Sequence, residues 1–361
     1  MSQHELQGSV VVLTLFDVAE EISLPKLRPL ITGTTLAPTF KHPAPEYVKF
    51  ERPPLIEPLP ALALGTGEQL EATLQYYDYG VVSLLLRFAF AGDWPKIQQL
   101  AGNWVSGTIF DELTRKLVTQ KVETIRSTLV KPYENWLSED YYVFHLHTIA
   151  GNPSGSALLH DRGPEISQMV RGESLPLAEA ERAEVLQGFL SYYPNDLVVA
   201  GWNAAFVYDN EPGADAVIHL LEYANSQLLQ FRNYDEVLTR ELTSVYNFLD
   251  RRSRGLLSGW RMRPAAAGLR AMLLDVTELT ERTNNALKFV SDMYSARLYK
   301  LCAAKIGVND YQMLVQEKLH MADELYDFMI EQFHQSRGFV LEFIVVLILI
   351  IELFFLFNGR R

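Results

Sequence analysis

The spacing of apolar positions changes character once along this chain, near residue 210. Before that point the apolar runs are short and rich in β-branched and aromatic residues. Residues 10–16 (VVVLTLF), 68–76, 79–88, 141–149 (YYVFHLHTI), 157–160 and 197–208 predict strands on that ground. Residues 24–31, following Ser23, predict a short helix, and 94–129 read as mainly helical. Seven prolines between residues 36 and 60 forbid a regular helix there and favour extended or turn structure. The order of elements is compatible with a β-α-β-β-α-β core.

After residue 210 the spacing alternates between four and three. Val217, Leu221, Ala224, Leu228, Phe231, Leu238, Leu242, Val245 and Leu249 form one seam, with Asp235 occupying a seam position. Leu273, Val276, Thr280, Thr283, Leu287, Val290, Tyr294, Arg297 and Leu301 form a second. Val315, Leu319, Ala322, Tyr326, Met329 and Phe333 form a third. Such seams predict long antiparallel helices packed like a coiled coil. Pro264 suits the first turn of the second helix, Gly307 its end, and Asn309 the cap of the third. The second helix, 264–306, would be roughly 65 Å long and the third roughly 42 Å before its apolar end, at about 1.5 Å per residue. Paired across the turn at 307–309, the second overshoots the third, which carries its start toward any membrane the third enters.

The third helix runs on into residues 339–357, FVLEFIVVLILIIELFFLF, apolar except for Glu342 and Glu352. At about 1.5 Å per residue this is roughly 28 Å, enough for a hydrocarbon core of about 30 Å, and it predicts a C-terminal transmembrane helix. Glu342 and Glu352 lie roughly 80° apart around a helix, at about 100° per residue. They form either a polar seam toward neighbouring chains or a proton-linked site, or they reach headgroup water. The N-terminus has neither a cationic leader nor a small-residue cleavage site. The expectation is a single-pass, tail-anchored protein of the inner membrane with its large domain in the cytoplasm.

Composition narrows the choice. With 44 acidic against 32 basic residues and a net charge of −12, whole-surface nucleic-acid binding is excluded. The one cysteine, Cys302, rules out an intrachain disulfide framework and a Cys-built zinc site; on a helix seam it reads as a buried structural thiol. Basic residues concentrate at 251–264, RRSRGLLSGWRMRP. Arg251, Arg252, Arg254, Arg261 and Arg263, interleaved with Trp260 and aliphatics, suit an anionic lipid headgroup surface. A solvated inter-helix turn, pairing with acids elsewhere, and contact with ribosomal or other RNA are the other readings of the same residues.

Catalytic signals are few. His145 and His147, at i and i+2 on a predicted strand, face one way and are weak candidates for a metal, with His160 and Asp161 as extra ligands. Two strand histidines facing solvent or a polar interface are the ordinary reading, and no HExxH or CxxC motif or spaced carboxylate set supports a metal. Gly65–Gly67, Gly151–Gly155 and Gly102–Gly107 do not form a phosphate-binding loop, there is no GxSxG, and no cofactor is implied.

Three stretches carry a resemblance: residues 76–82 (YYDYGVV), 197–242, and 318–355, in which a K-L…Y…R…L-E-F-I-V-V-L-I pattern leads into the apolar segment. Together they resemble the required-for-meiotic-nuclear-division family, in its bacterial form. That resemblance implies one C-terminal span on an α+β domain with long helices, and self-association. It also implies kinship with mitochondrial inner-membrane members that support translation by holding ribosomes near the membrane. It carries no catalytic residues.

The expected architecture is therefore α+β. An N-terminal mixed α/β domain over residues 1–210 precedes a long-helix stalk over 211–337 and an anchor over 338–361. The expected role is a non-catalytic, homo-oligomeric membrane scaffold. A membrane-attached metal enzyme using His145 and His147, or an RNA or ribosome tether through the arginine-rich tip, is the alternative.

Overall fold

The computed structural model describes residues 5–31, 34–35, 53–63, 69–252, 258–285 and 293–358. Its contacts divide the chain into two compact units. One comprises Met1–Asn233 with Arg282–Tyr311, the other Tyr234–Glu281 with Gln312–Arg361. The fold class is α+β, with a mixed-sheet domain followed by long helices.

The first unit is built on strands β1 (Leu6–Asp17), β2 (Ala19–Ile22), β3 (Thr34–Thr35), β4 (Leu55–Ala63), β5 (Gln69–Tyr76), β6 (Val81–Gly92), β7 (Leu129–Pro132), β8 (Ser138–Ile149), β9 (Phe189–Leu190), β10 (Leu197–Ala200) and β11 (Ala204–Tyr208). Among the described residues nine of them form one sheet in the order β3-β4-β5-β6-β1-β8-β11-β10-β9, while β2 pairs with β7. Neighbours are antiparallel except β11 and β8, which are parallel. A parallel pair needs a crossover, and α4 (Gly155–Arg171) and α5 (Glu179–Gln187) supply it. This largely antiparallel order replaces the β-α-β-β-α-β core compatible with the sequence.

β1 lies at the centre because both its faces are apolar. Val10, Val12 and Phe16 join the core beneath α2 (Trp94–Val105), α3 (Asp111–Thr124), α4 and α5. Val11, Leu13 and Leu15 are equally buried on the opposite face. That second face meets α6 (Glu211–Arg252) through polar contacts: Tyr79 Oη lies 2.7 Å from Ser226 Oγ, and Arg232 pairs with Glu139. A strand covered on both sides shows a continuous apolar run rather than alternation, which is what VVVLTLF displays.

Most predicted strands are present, and the helix α1 (Leu24–Leu27) follows Ser23 as expected. Residues 157–160 are a correction: they belong to helix α4. Ser154 Oγ accepts a hydrogen bond from Ala157 N at its start, and Gly172, at φ +68°, ends it in the left-handed region. A short apolar run does not distinguish a strand from a buried helix turn. Of the proline-rich stretch, residues 36–52 lie outside the described residues, and 55–60 begin the extended β4.

The long helices are α6, α7 (Ser258–Asn285), α8 (Met293–Ile306) and α9 (Val308–Asn358). The single helix expected over 264–306 corresponds to α7 and α8, with 286–292 outside the described residues; α7 begins at Ser258, so Pro264 lies beyond its first turn rather than opening it. Gly307, at φ +93°, alone separates α8 from α9. Asn309 therefore sits inside the first turn of α9 rather than capping it. In the second unit, Leu242 and Val245 of α6, Ala266 and Leu269 of α7, and Ala322, Leu325 and Met329 of α9 form a common core. Lys318 of α9 donates to Asp235 Oδ1 and Thr239 Oγ1 of α6, each at 2.6 Å.

α9 is one uninterrupted helix of 51 residues, as the sequence predicts for 310–357. The transmembrane helix expected within it is not found: among the described residues no helix is long and apolar enough to cross a membrane.

Candidate functional site

The sheet order β6-β1-β8 brings together residues that are distant in sequence. On the face covered further along by α6, just before that helix begins, a cleft of about 630 Å³ opens in the first unit. Its lining includes Ser9 of β1, Glu71 of β5, Arg87 of β6, His145 and His147 of β8, and Glu211, the first residue of α6.

Register explains the grouping. Ser9 stands opposite His145 across the β1–β8 pair, and Glu71 opposite Arg87 across β5–β6. Between Gln7 and Gly8 the β1–β8 register slips by one, so Gln7 faces Thr148 while Gly8 faces Leu146, and His147 is the extra residue of a β-bulge. Bulges re-aim side chains, and here His147 is turned outward at the rim. Gly8 permits the close approach, since a Cβ there would lie 2.0 Å from the His145 carbonyl oxygen.

The two imidazoles differ in their surroundings. His145 is 1% exposed; its Nε2 lies 2.9 Å from the Asp209 carbonyl oxygen and its Nδ1 3.4 Å from Ser9 Oγ. A carbonyl only accepts, so Nε2 carries the proton and Nδ1 presents a lone pair toward Ser9. Burial holds this imidazole below its ordinary pKa; the Asp209 bond opposes that, and Arg87 and His147 add to it. His147 is exposed, with Nδ1 2.9 Å from Thr148 Oγ1 and its ring centre 6.0 Å from that of His145. Arg87 is held by Asp215 of α6 at 2.6 Å.

The structure therefore places His145 and His147 in one cleft but in different surroundings, one buried and one exposed. Among the described residues no group of three or more His, Cys, Asp or Glu side chains is arranged to hold a metal. His160 and Asp161 form an exposed pair at 2.7 Å on α4, outside the cleft lining. Glu342 and Glu352 are both exposed on α9. Of the arginine-rich tip, Arg254 and the side chains of Arg251, Arg252, Trp260, Arg261 and Arg263 lie outside the described residues. Ser9, Glu71, Arg87, Glu211 and Asp215 were not singled out from the sequence. Their only signal is a polar residue inside an otherwise apolar strand, as at Ser9 and Arg87.

These features define a mixed-sheet α+β domain with a polar cleft at the start of a long helix. Residues 7–215, more than half of the chain and the whole of that cleft, match the family described as uncharacterized protein MJ0711, N-terminal domain, and the chain belongs to that family. No curated protein and no solved structure matches the chain. The resemblance to the required-for-meiotic-nuclear-division family is overturned by this match. Of the residues that suggested it, 76–82 form a tight strand-to-strand turn around Gly80 (φ +89°), and the C-terminal pattern lies on α9, beyond the matched region.

Proposed function

We propose that this chain is a membrane-attached, self-associating scaffold, held by the apolar end of α9. One observation carries the reading. Within residues 341–355 every residue other than Glu342 and Glu352 is a large apolar side chain left exposed, from 44% at Ile344 to 71% at Phe355. Contiguous apolar surface of this extent marks a protein or membrane contact. A single partner helix covers one stripe of its neighbour, whereas here all sides of the helix are apolar; lipid covers them all at once.

Self-association draws support from the same helix nearer its start. Leu314, Met321 and Phe328 recur every seven residues and are 43%, 36% and 48% exposed, an apolar line separate from the buried Val315, Ala322 and Met329. A second copy presenting the same line suits it, since heptad spacing keeps two helices in register.

The test is extraction of the full-length protein from membranes of expressing cells. Retention in the pellet after alkaline carbonate, with release on Ile348→Lys plus Leu349→Lys, is the expected result. Recovery of the unaltered chain in the supernatant overturns the reading. Mass measurement in detergent then reports the number of copies, and Phe328→Glu is expected to reduce it.

A further inference from the structure

The cleft holds a chemical arrangement that a scaffold does not use. We infer that Ser9 and His145 form a nucleophile–base pair for acyl transfer, acting on an ester or thioester whose acyl part carries a positive charge.

Geometry supports the pair. Ser9 and His145 face each other on β1 and β8, which are flanked by β6 and β11, so neither backbone is at a sheet edge. The imidazole is oriented from behind by the Asp209 carbonyl, leaving Nδ1 as the proton acceptor 3.4 Å from Ser9 Oγ. That separation is long for a hydrogen bond, and nucleophile–base contacts are commonly loose before substrate is bound. Nucleophile, base and an orienting third group are the parts such catalysis needs. Both Ser9, 7% exposed, and His145, 1% exposed, line the cleft, so the hydroxyl lies at its floor and a substrate must reach down to it. The burial that keeps His145 neutral keeps its lone pair available.

The reaction balances without a co-reactant other than water. Ser9 Oγ attacks the acyl carbon and its proton passes to His145 Nδ1. The tetrahedral species collapses with cleavage of the bond to the leaving alcohol or thiol, which takes that proton. Water then attacks the acyl-serine with the same base, releasing the carboxylic acid and restoring Ser9. Nothing is oxidised or reduced.

Charge sets the substrate class. Arg87 is committed to Asp215 at 2.6 Å, which leaves Glu71 and Glu211 as the net charge of the walls. Both carboxylates are exposed at the rim, so they draw a cationic group in and repel an anionic one most strongly at low ionic strength. Ala61, Leu70 and Ala89 supply an apolar wall for the chain between that cation and the acyl carbon.

The experiment treats the full-length protein with a fluorophosphonate probe and locates the adduct by peptide mass mapping. The expected adduct is on Ser9. It is absent in Ser9→Ala, absent in urea-unfolded protein, and formed at least about 100-fold more slowly in His145→Gln, the usual scale of general-base assistance. The unfolded control keeps the result informative should His145→Gln fail to fold. A p-nitrophenyl ester with a quaternary ammonium acyl chain is expected to turn over at least about tenfold faster than its carboxylate counterpart. No adduct at Ser9 in the folded protein, or one formed equally fast after unfolding or without the imidazole, overturns the pair. Equal turnover of the two esters overturns the substrate assignment.

Discussion

Gln230 of α6 donates a 3.0 Å hydrogen bond to the buried carboxylate of Asp17 at the end of β1, 213 positions away in the chain. Burial holds the Asp17 carboxyl well above its ordinary pKa, while the bonds from Gln230 and Asn233 act in the opposite direction. The folded state therefore binds this proton more tightly than the unfolded state does. Its contribution to stability is complete below the unfolded value near 3.8 and is lost as pH rises toward the elevated folded value. Asp17→Asn keeps an acceptor for Gln230 without the charge. We expect it to raise Tm by about 2–6 °C at pH 8, corresponding to about 1–2 kcal/mol, and to leave Tm unchanged at pH 4. Thermal unfolding at the two pH values checks this, and a loss of stability at pH 8 would count against it.

The partly buried pair Lys318 and Asp235 makes a second prediction. Both side chains are about one-fifth exposed. Lys318→Met leaves Asp235 without its partner and is expected to cost about 1–3 kcal/mol. Combining it with Asp235→Leu is expected to recover most of that loss, because an apolar pair suits a helix seam as well as an ion pair does. Denaturant titration of the three variants gives the answer; additive losses would show that the two groups do not act together.

Gly80 turns the chain from β5 into β6 at φ +89°, and a Cβ there would lie 1.7 Å from the Ala19 carbonyl oxygen. The obstacle is backbone, which cannot rotate aside. Gly80→Ala is expected to destabilise by about 3 kcal/mol or more, combining a left-handed conformation with a steric clash. A variant within about 0.5 kcal/mol of the parent in urea unfolding would show that the turn can relax.

Cys302 is fully buried in α8, and burial pushes its thiol up to about 12. Alkylation requires the thiolate, so iodoacetamide at pH 8 is expected to modify Cys302 only after denaturation. Rapid labelling of the native chain would mean that α8 opens locally.

Sequence patterning foretold the elements more successfully than their arrangement. The apolar run in β1 and the alternating four-and-three seams of α6 and α9 declare themselves because strand and helix periods are local properties. Asp235, an anomaly in its seam, makes sense only once Lys318 is seen opposite it, and that partner lies 83 positions away. Residues 157–160 misled because three apolar positions, Ala157 to Leu159, fit either period. The cleft was half legible: His145 and His147 stood out as a pair, but Ser9, Arg87 and Glu71 join them through strand order and register, which no single segment encodes. The bulge that leaves one histidine buried and the other exposed depends on pairing with β1 and leaves no mark within β8 itself.

The central position of β1 has a consequence for the chain as it is made. Its hydrogen-bonding neighbours are β6, ending at Gly92, and β8, ending at Ile149, both of which follow it. At about 5–20 residues per second, some 75 residues of further synthesis hold β1 without its first partner for roughly 4–15 s. For that interval VVVLTLF is a naked adhesive strip on a nascent polypeptide, attractive both to aggregation and to the chaperones that wait at the ribosomal exit.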